Sequence, residues 1–388
     1  MNPRKSAWCF GIGIILLTLC ICAVVLWKAG IFSFSPSDSS ETASDTTETE
    51  PVVNPETEPV SETSGISPAS DKEEPTLIID QNPAVYTYED LVSDTDILKS
   101  RYASVFSADS LGETVDGRQI LHFIIGDKEA SRKILINGGI HAREYITCQL
   151  VMKQTVSFLE HLSNGDSYGD ISYEDLLRDT VVHVICMVNP DGVSISQLGL
   201  DGVQTDAVRE NLSQIAQLDG ASLADGTYLK RWKANANGVD LNRNFDALWD
   251  SYADPAGHPS ADHYKGTAPG CEIESAALIQ LTLQEQFTRT ISYHTQGDVI
   301  YWYFGQEGDL YDQTLSFANT ISATTGYPLD ADYQSLDPAG YKDWALQSQG
   351  IPSLTIEVGL QDSPVPAEQF ATIWAENQFV WEEALKTL

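Results

Sequence analysis

Positive charge is what this chain has least of. Its 388 residues carry 22 Lys and Arg against 56 Asp and Glu, a formal net charge of −34. So acidic a chain has no basic stripe for neutralising phosphates. That excludes nucleic acid as a partner, and it excludes docking to anionic lipid through a basic patch. Cysteine is sparse too. Cys9, Cys20 and Cys22 fall in one apolar stretch, while Cys148, Cys186 and Cys271 lie far apart. No Cys-x-x-Cys or Cys/His ligand spacing occurs, which excludes a structural zinc knuckle and a disulfide scaffold but leaves a single disulfide open. There is no internal repeat.

What is there begins with an uncharged run from Ser6 to Trp27, preceded by Arg4 and Lys5 and followed by Lys28. The run is long enough to cross a hydrocarbon core as a helix. Bulky Leu19 and Ile21 spoil a small-x-small cleavage exit. The run therefore reads as an uncleaved single-pass anchor in the cell membrane, basic end cytoplasmic, with the rest extracellular. A cleaved signal peptide is the alternative, and both imply export. Residues 33–80 are rich in Ser, Thr, Glu and Pro, with twelve acidic residues against Lys72 alone. Such a segment cannot bury enough surface to offset its ordering entropy, so a disordered, self-repelling linker is expected. Residues 1–32 are thus assigned to the cytoplasmic end and anchor, 33–80 to the linker, and 81–388 to one folded domain.

Within that domain, periodicity predicts helices over 87–102 and 145–162. Apolar runs predict strands over 119–126, 133–139, 180–192 (ending in a Pro-Asp-Gly turn), 288–295 and 353–359. Strands alternating with helices point to an α/β sheet covered by helices on both faces.

Chemistry concentrates after the second of these strands. Gly138 and Gly139 are followed by His141, Arg143 and Glu144, and then by a helix. His141 and Glu144 would leave the carboxyl end of a strand, where ligands collect in α/β sheets. The spacing differs from the helical His-Glu-x-x-His pattern, whose histidines share one face. A catalytic zinc takes three protein ligands and keeps one position open, so a further histidine is needed. His122 and His183 lie inside strands and read as core histidines. His161 sits late in a helix, and His258 and His263 fall in a Gly/Pro/Asp-rich loop. His294, at the exit of an apolar strand as His141 is, becomes the third ligand. Glu357 lies in the apolar "LTIEVG", where burial would raise its pKa and suit it as a base; an outward-facing edge residue fits the same pattern.

Six motifs, in order, now carry a resemblance: "GGIHAREYIT", "NPDG" at 189–192, "GVDLNRNFD" at 238–246, "SYHT" at 292–295, "DW" at 343–344 and "TIEVG" at 355–359. Together they resemble the zinc carboxypeptidases of the carboxypeptidase A/B type over nearly all of Tyr86 to Leu388. The resemblance implies a single α/β domain with a mixed, mostly parallel twisted sheet and helices on both faces. It implies one zinc ion on His141, Glu144 and His294, Glu357 as general base, and Asn242 and Arg243 holding a substrate carboxylate. It also implies that Arg143 lines the cleft and that Asp240 orients a zinc-binding histidine. Tyr333 is the candidate for a tyrosine closing over substrate, with Tyr341 as its rival.

Two departures follow. Lys233 stands after Trp232 where animal members carry an oxyanion-stabilising arginine, so Lys233, or Arg143, is assigned to the oxyanion; Arg231 is the equivalent if the register slips. Lys342 stands in the pocket for the residue beyond the scissile bond, and a lysine there suits a carboxylate. "WKANANGVDLNRNF", "HTQGDVIYW" and "GYKDW" are most similar to the bacterial γ-D-glutamyl-L-diamino-acid endopeptidase branch, which cuts cell-wall stem peptides. The implied function is a zinc metallocarboxypeptidase hydrolysing an amide bond next to a carboxylate-bearing residue. Its partners would be a peptide or stem-peptide substrate and, through the N-terminal helix, the membrane. The alternatives are a general carboxypeptidase acting on acidic C-terminal residues and a non-catalytic peptide-binding or peptidoglycan-binding protein. The short distance from linker to domain leaves no room for a large inhibitory pro-domain, so active enzyme is expected directly on folding.

Overall fold

The computed structural model describes residues 75–334 and 337–388. The anchor predicted over 6–27 and most of the linker lie outside the described residues. Among the described residues no helix is long and apolar enough to cross a membrane.

The strands are β1 (Phe106–Glu113), β2 (Gln119–Ile125), β3 (Arg132–Asn137), β4 (Ser167–Tyr168), β5 (Ile171–Ser172), β6 (Thr180–Ile185), β7 (Arg289–His294), β8 (Val299–Tyr301), β9 (Leu329–Asp330) and β10 (Ser353–Glu357). Eight of them build one sheet in the order β1-β2-β6-β3-β7-β10-β8-β9, while β4 and β5 pair separately. The central strands β6, β3, β7 and β10 run parallel. The pairs β1/β2, β2/β6 and β10/β8 are antiparallel, and β8/β9 is parallel.

The central strands are buried on both faces because both faces are covered: one face is apolar throughout, and the other mixes Leu135 and Ile185 with Asn137, His183, Thr290, Ser292, Ser353 and Thr355. Ile134, Ile136, Val182, Val184, Ile291, Tyr293, Leu354 and Ile356 point into one layer with Leu150, Val151, Phe158, Phe317 and Trp381 of the helices Ile146–Asn164, Gly308–Thr325 and Val380–Lys386. Leu135 and Ile185 point the other way, onto Leu278, Leu281, Trp344 and Leu346 of the helices Ile273–Glu285 and Tyr341–Gln349. Each fully buried aliphatic side chain contributes about 1.5–3 kcal/mol, so the register that sorts alternate residues into two layers is strongly fixed.

Two expectations need correction, and one strand was missed. Leu77 and Ile79, placed in the linker, are buried in the core. Asp94 accepts hydrogen bonds from the Ile78 and Ile79 amides at 2.7 and 3.0 Å. The ordered domain therefore takes in the chain from residue 75, several residues before the boundary drawn from composition. The Pro-Asp-Gly run is the start of the helix Pro190–Leu198, not a turn. Asn189 Oδ1 caps it by accepting from Gly192 N at 2.9 Å, and proline at the first helical position has no amide to waste. Finally, β1 was not foreseen, because its sequence FSADSLGE is largely polar and it pairs on one side only.

His122 and His183 are core histidines. They sit on adjacent strands with His122 Nε2 2.9 Å from His183 Nδ1. Burial pushes His122 down to about 4 and His183 to about 3, from an ordinary 6.5. A histidine depressed in the fold takes up protons more readily when unfolded, so its stabilising effect is complete above pH 6.5 and is lost as pH falls toward 4. Between pH 7.5 and pH 5 the unfolding free energy of His183→Gln should therefore drop by roughly 2 kcal/mol less than that of the wild type. Equal drops in urea titrations at the two pH values would remove the pair as a source of acid lability.

Candidate active site

Parallel strands bring their carboxyl ends to one edge, and the site is assembled there. His294 is the last residue of β7, and Glu357, the last of β10, pairs with it in register. His141 follows β3 after the two glycines that the opening motif contains. Gly139 has φ +66°, and a Cβ there would lie 2.4 Å from Cys148 Sγ. A side chain at 139 would displace the helix that follows, and the helical turn bearing Glu144 with it.

Three of the predicted site residues converge tightly. His141 Nδ1 is 2.8 Å from Glu144 Oε1, and His294 Nδ1 is 2.9 Å from Glu144 Oε2 and 3.2 Å from His141 Nδ1. All three side chains are buried, and their candidate ligand atoms lie within 4.8 Å of one another. Two imidazole nitrogens and a carboxylate facing one point are an electron-rich set with few protons to share. This is the donor set of a His₂Glu catalytic zinc, and it fits one such ion. Burial would raise the Glu144 carboxyl, but the charges of His141 and His294 outweigh it and hold the group well below the usual carboxylate range.

Around this centre the structure places the remaining candidates. Asp240 is fully buried, its Oδ1 3.2 Å from His141 Nε2 and its Oδ2 2.8 Å from Lys233 Nζ. Burial acts to raise Asp240, yet Lys233 and His141 hold it well below the ordinary value. Glu357 lines the cleft rather than an outer edge. Burial, reinforced by the negative charge of Glu144, pushes its carboxyl up to about 8, and Oε2 has no hydrogen-bond partner. Lys233 lines the cleft; Arg231 is exposed and pairs with Asp362 at 3.7 Å. Trp232, Leu229, Ile195 and Leu212 form a separate apolar cluster beneath the loop that carries Lys233.

On another wall, Arg243 donates from Nη1 to the Asn242 carbonyl at 2.7 Å and lies 3.6 Å from Asp337. The Asn242 Oδ1 accepts from Tyr341 N at 3.1 Å. Lys342 is buried, its Nζ 2.6 Å from Asp343 Oδ1 and 5.3 Å from the Phe304 ring centre. Tyr333 lines the cleft and packs edge-on against Tyr303 and Phe304. Its rival Tyr341 is completely buried, with its hydroxyl 2.9 Å from Thr282 Oγ1, and it does not line the cleft. The cleft these groups surround has a volume of about 250 Å³.

Some participants were not singled out from the sequence. Asp262 bridges Arg143 at 3.1 Å and Lys233 at 3.2 Å, but it lies in a loop of mixed Gly, Pro and Asp that offers no periodicity. Thr295, Tyr301, Phe304 and Thr355 also line the cleft. Of the remaining histidines, His161 pairs with Asp166 at 2.8 Å, and His258 Nδ1 lies 2.9 Å from its neighbour's carbonyl. Cys148, Cys186 and Cys271 are all unpaired thiols.

Known proteins share both the sequence pattern and the fold. A family model described as zinc carboxypeptidase matches residues 91–380. A γ-D-glutamyl-L-diamino acid endopeptidase of Lysinibacillus sphaericus is 32% identical over 292 residues, spanning 75% of this chain and 70% of that protein. Carboxypeptidase B of Astacus astacus is 25% identical over 314 residues, spanning 76% and 91%. Among solved structures, carboxypeptidase A from Helicoverpa armigera superposes with a TM-score of 0.58 at 17% identity, covering 78% of this chain and 72% of that one. That last likeness speaks for the fold alone.

Proposed function

Since the chain belongs to the zinc carboxypeptidase family and is a zinc metallopeptidase, we propose that it hydrolyses an amide bond whose leaving residue carries an extra carboxylate. The specific substrate proposed is a cell-wall stem peptide, cut between γ-linked D-glutamate and diaminopimelate. The observation that carries this reading is Lys342, a buried ammonium lining the cleft alongside Asn242 and Arg243. A leaving residue with two carboxylates would meet Arg243 and the Asn242 amide with one and Lys342 with the other. The Lysinibacillus relative, a γ-D-glutamyl-L-diamino acid endopeptidase, supports the same reading.

His141, Glu144 and His294 would hold the zinc, which when bound supplies a Lewis acid for the scissile carbonyl and acidifies water. Glu357, buried and lacking a partner at Oε2, accepts a proton from the attacking water and delivers it to the departing amine. Lys233 offers positive charge to the carbonyl oxygen as it becomes an oxyanion. Asp240 fixes the His141 ring through Nε2 and Lys233 through Nζ, so one carboxylate sets the orientation of both. Tyr333 shields the leaving residue from solvent. The N-terminal run would anchor the enzyme outside the membrane, beside the polymer it cuts.

Mass spectrometry of products from the full-length protein, zinc and L-Ala-γ-D-Glu-meso-diaminopimelate tests the proposal, with free diaminopimelate expected. Cleavage of ordinary peptides ending in Asp or Glu, with the stem peptide untouched, would replace the cell-wall substrate by a general acidic carboxypeptidase activity. Lys342→Met should lower kcat/KM on the diaminopimelate substrate by about 10- to 100-fold, chiefly through KM, as expected for losing a hydrogen bond to a charged group. An unchanged KM would exclude Lys342 from the leaving-residue pocket.

A further inference from the structure

Asn242, Arg243, Tyr333 and Lys342 surround the leaving residue, so the acyl half of the substrate leaves the cleft on another side. A second groove adjoins the cleft. Its near chamber, about 280 Å³, is lined by Tyr145, Lys230 and Pro364. Its far chamber, about 560 Å³, is lined by Asn82, Lys153, Phe370 and Trp374. Ala84, Gln149, Ala367 and Glu368 line both, so the two form one channel. Three connections join this channel to the catalytic cleft. Tyr145 follows Glu144 of the metal site. Lys230 precedes Arg231, whose carbonyl accepts from Arg143 Nη1 at 3.2 Å. Pro364 follows Ser363, whose hydroxyl is hydrogen-bonded to that of Thr295 in the cleft wall. The groove shares no residue with the wall that faces the leaving residue.

The chemistry of the groove differs from that of the cleft. In a chain of net charge −34, it sets Lys153 and Lys230 against Glu368 and so carries little charge of either sign. Trp374 is half-buried, with Lys153 Nζ 5.5 Å from its ring centre. Asn82 and Glu368 are exposed at the rim. Gln149 is buried, and its amide donates to the Pro83 carbonyl at 3.0 Å, which fixes the 82–84 wall against the helix Ile146–Asn164. The facing wall is the helix Phe370–Asn377. Helices have already paired their interior backbone groups, so these walls offer no free strand edge to an extended peptide. The near-neutral lining does not suit a strongly charged ligand. An indole face rimmed by an amide, a carboxylate and an ammonium suits a ring with apolar C–H faces and a polar edge of hydroxyl and amide groups.

Resting on the substrate reading above, we propose that this groove binds an N-acetylated amino sugar, the unit to which a stem peptide is attached. The γ-linked D-glutamyl residue of such a peptide follows L-alanine, whose amine is joined through a lactyl group to the sugar. Two extended residues span about 7 Å, slightly more through a γ-linkage. The sugar therefore falls just past the residues that flank the metal site, where the groove begins. Trp374 stacks on a pyranose face, while Asn82, Lys153 and Glu368 meet hydroxyl and acetamido groups. The enzyme thus reads glycan as well as peptide, and favours stem peptides still attached to the polymer over free ones.

Three substrates test this on the full-length zinc enzyme: L-Ala-γ-D-Glu-meso-diaminopimelate, the same tripeptide carrying N-acetylmuramic acid on its alanine, and the same tripeptide extended there by three alanines. The wild type should cut the sugar-bearing substrate with kcat/KM roughly 10- to 100-fold above the bare tripeptide, mainly through KM, as for a few added contacts. The alanine extension should bring no such gain. Trp374→Ala should bring the sugar preference close to one while cleaving the bare tripeptide, which does not reach the groove, as the wild type does. Trp374 also packs against the core, so the rim variant Lys153→Ala/Glu368→Ala provides a second reading and should lower the preference without that risk to folding. Equal cleavage of bare and sugar-bearing substrates by the wild type, an equal gain from the alanines, or a preference undiminished in both variants overturns the glycan assignment and leaves the leaving-residue reading standing. If none of the three is cut while peptides ending in Asp or Glu are, the substrate reading falls and this inference falls with it.

Discussion

Glu357→Gln should keep its metal and its fold while kcat falls roughly 10²- to 10⁴-fold, the usual contribution of a positioned acid–base group. Glutamine matches the shape of glutamate but cannot take a proton from water at neutral pH. The position has no substitute: the carboxylates nearest the reacting centre are already engaged, Glu144 by two histidines and Asp240 by His141 and Lys233. The same variant should gain stability when metal-free. In the metal-free fold Glu357 is pushed up to about 8 from an ordinary 4.5, by burial first and by Glu144 second. A carboxyl raised in the fold binds its proton more tightly when folded, so ionising it costs stability progressively as pH rises from 4.5 through 8. Removing it should make metal-free Glu357→Gln more stable than metal-free wild type at pH 8, by on the order of 3 kcal/mol, with the difference vanishing near pH 4. Chemical denaturation at the two pH values checks this. A variant that hydrolyses peptide at the wild-type rate would remove Glu357 from the proton path, whatever its stability.

What the sequence made legible was the part of the site that sits on regular elements. His141 and His294 could be placed because each leaves an apolar strand, and parallel strands buried on both faces announce themselves as continuous apolar runs. His122 and His183 could be set aside because they interrupt such runs, and they hydrogen-bond to each other in the core. What stayed hidden depends on contacts between distant segments. The Pro-Asp-Gly stretch looks like a turn in isolation. In the fold Asn189 caps it as a helix start, and the Arg118 guanidinium and the Asp116 amide hold Asp191 in the first turn. The choice between Tyr333 and Tyr341 was equally undecidable by spacing, since it turns on which ring the helix Tyr341–Gln349 buries against Phe245.

The linker boundary failed for a related reason. Composition averages over a window, and the strongly acidic stretch before it masks Leu77 and Ile79. Their burial is supported by Asp94, an acid in the interior of the helix Tyr88–Arg101 that accepts from the amides of Ile78 and Ile79 and from the Tyr86 hydroxyl at 2.9 Å. Asp262 shows the same limit inside the site. It acquires meaning only from the two cations that the fold brings to it.

His294→Ala should abolish both activity and stoichiometric zinc. Two ligands remain, His141 and Glu144, and they lie on one short segment that cannot close a tetrahedral site by itself. The loss should be graded by distance from the ion. Asp240→Asn keeps all three ligands but weakens the hold on the His141 ring, and it should reduce zinc affinity by about 10- to 100-fold rather than eliminate it. Binding also couples to folding. At a free zinc concentration 100 times its dissociation constant, the wild type should gain about 2.7 kcal/mol of stability, seen as a rise in Tm that His294→Ala lacks. Metal content after gel filtration, together with thermal melts with and without added zinc, separates this from simple misfolding. A folded His294→Ala protein shows an ordinary melt that zinc does not move, whereas a misfolded one shows no cooperative melt at all. If the folded variant kept one zinc per chain and its melt still rose with zinc, the third ligand would have to come from another side chain. Asp262 and His263, which with Asp240 form the only other cluster able to hold a metal among the described residues, would be the first to examine.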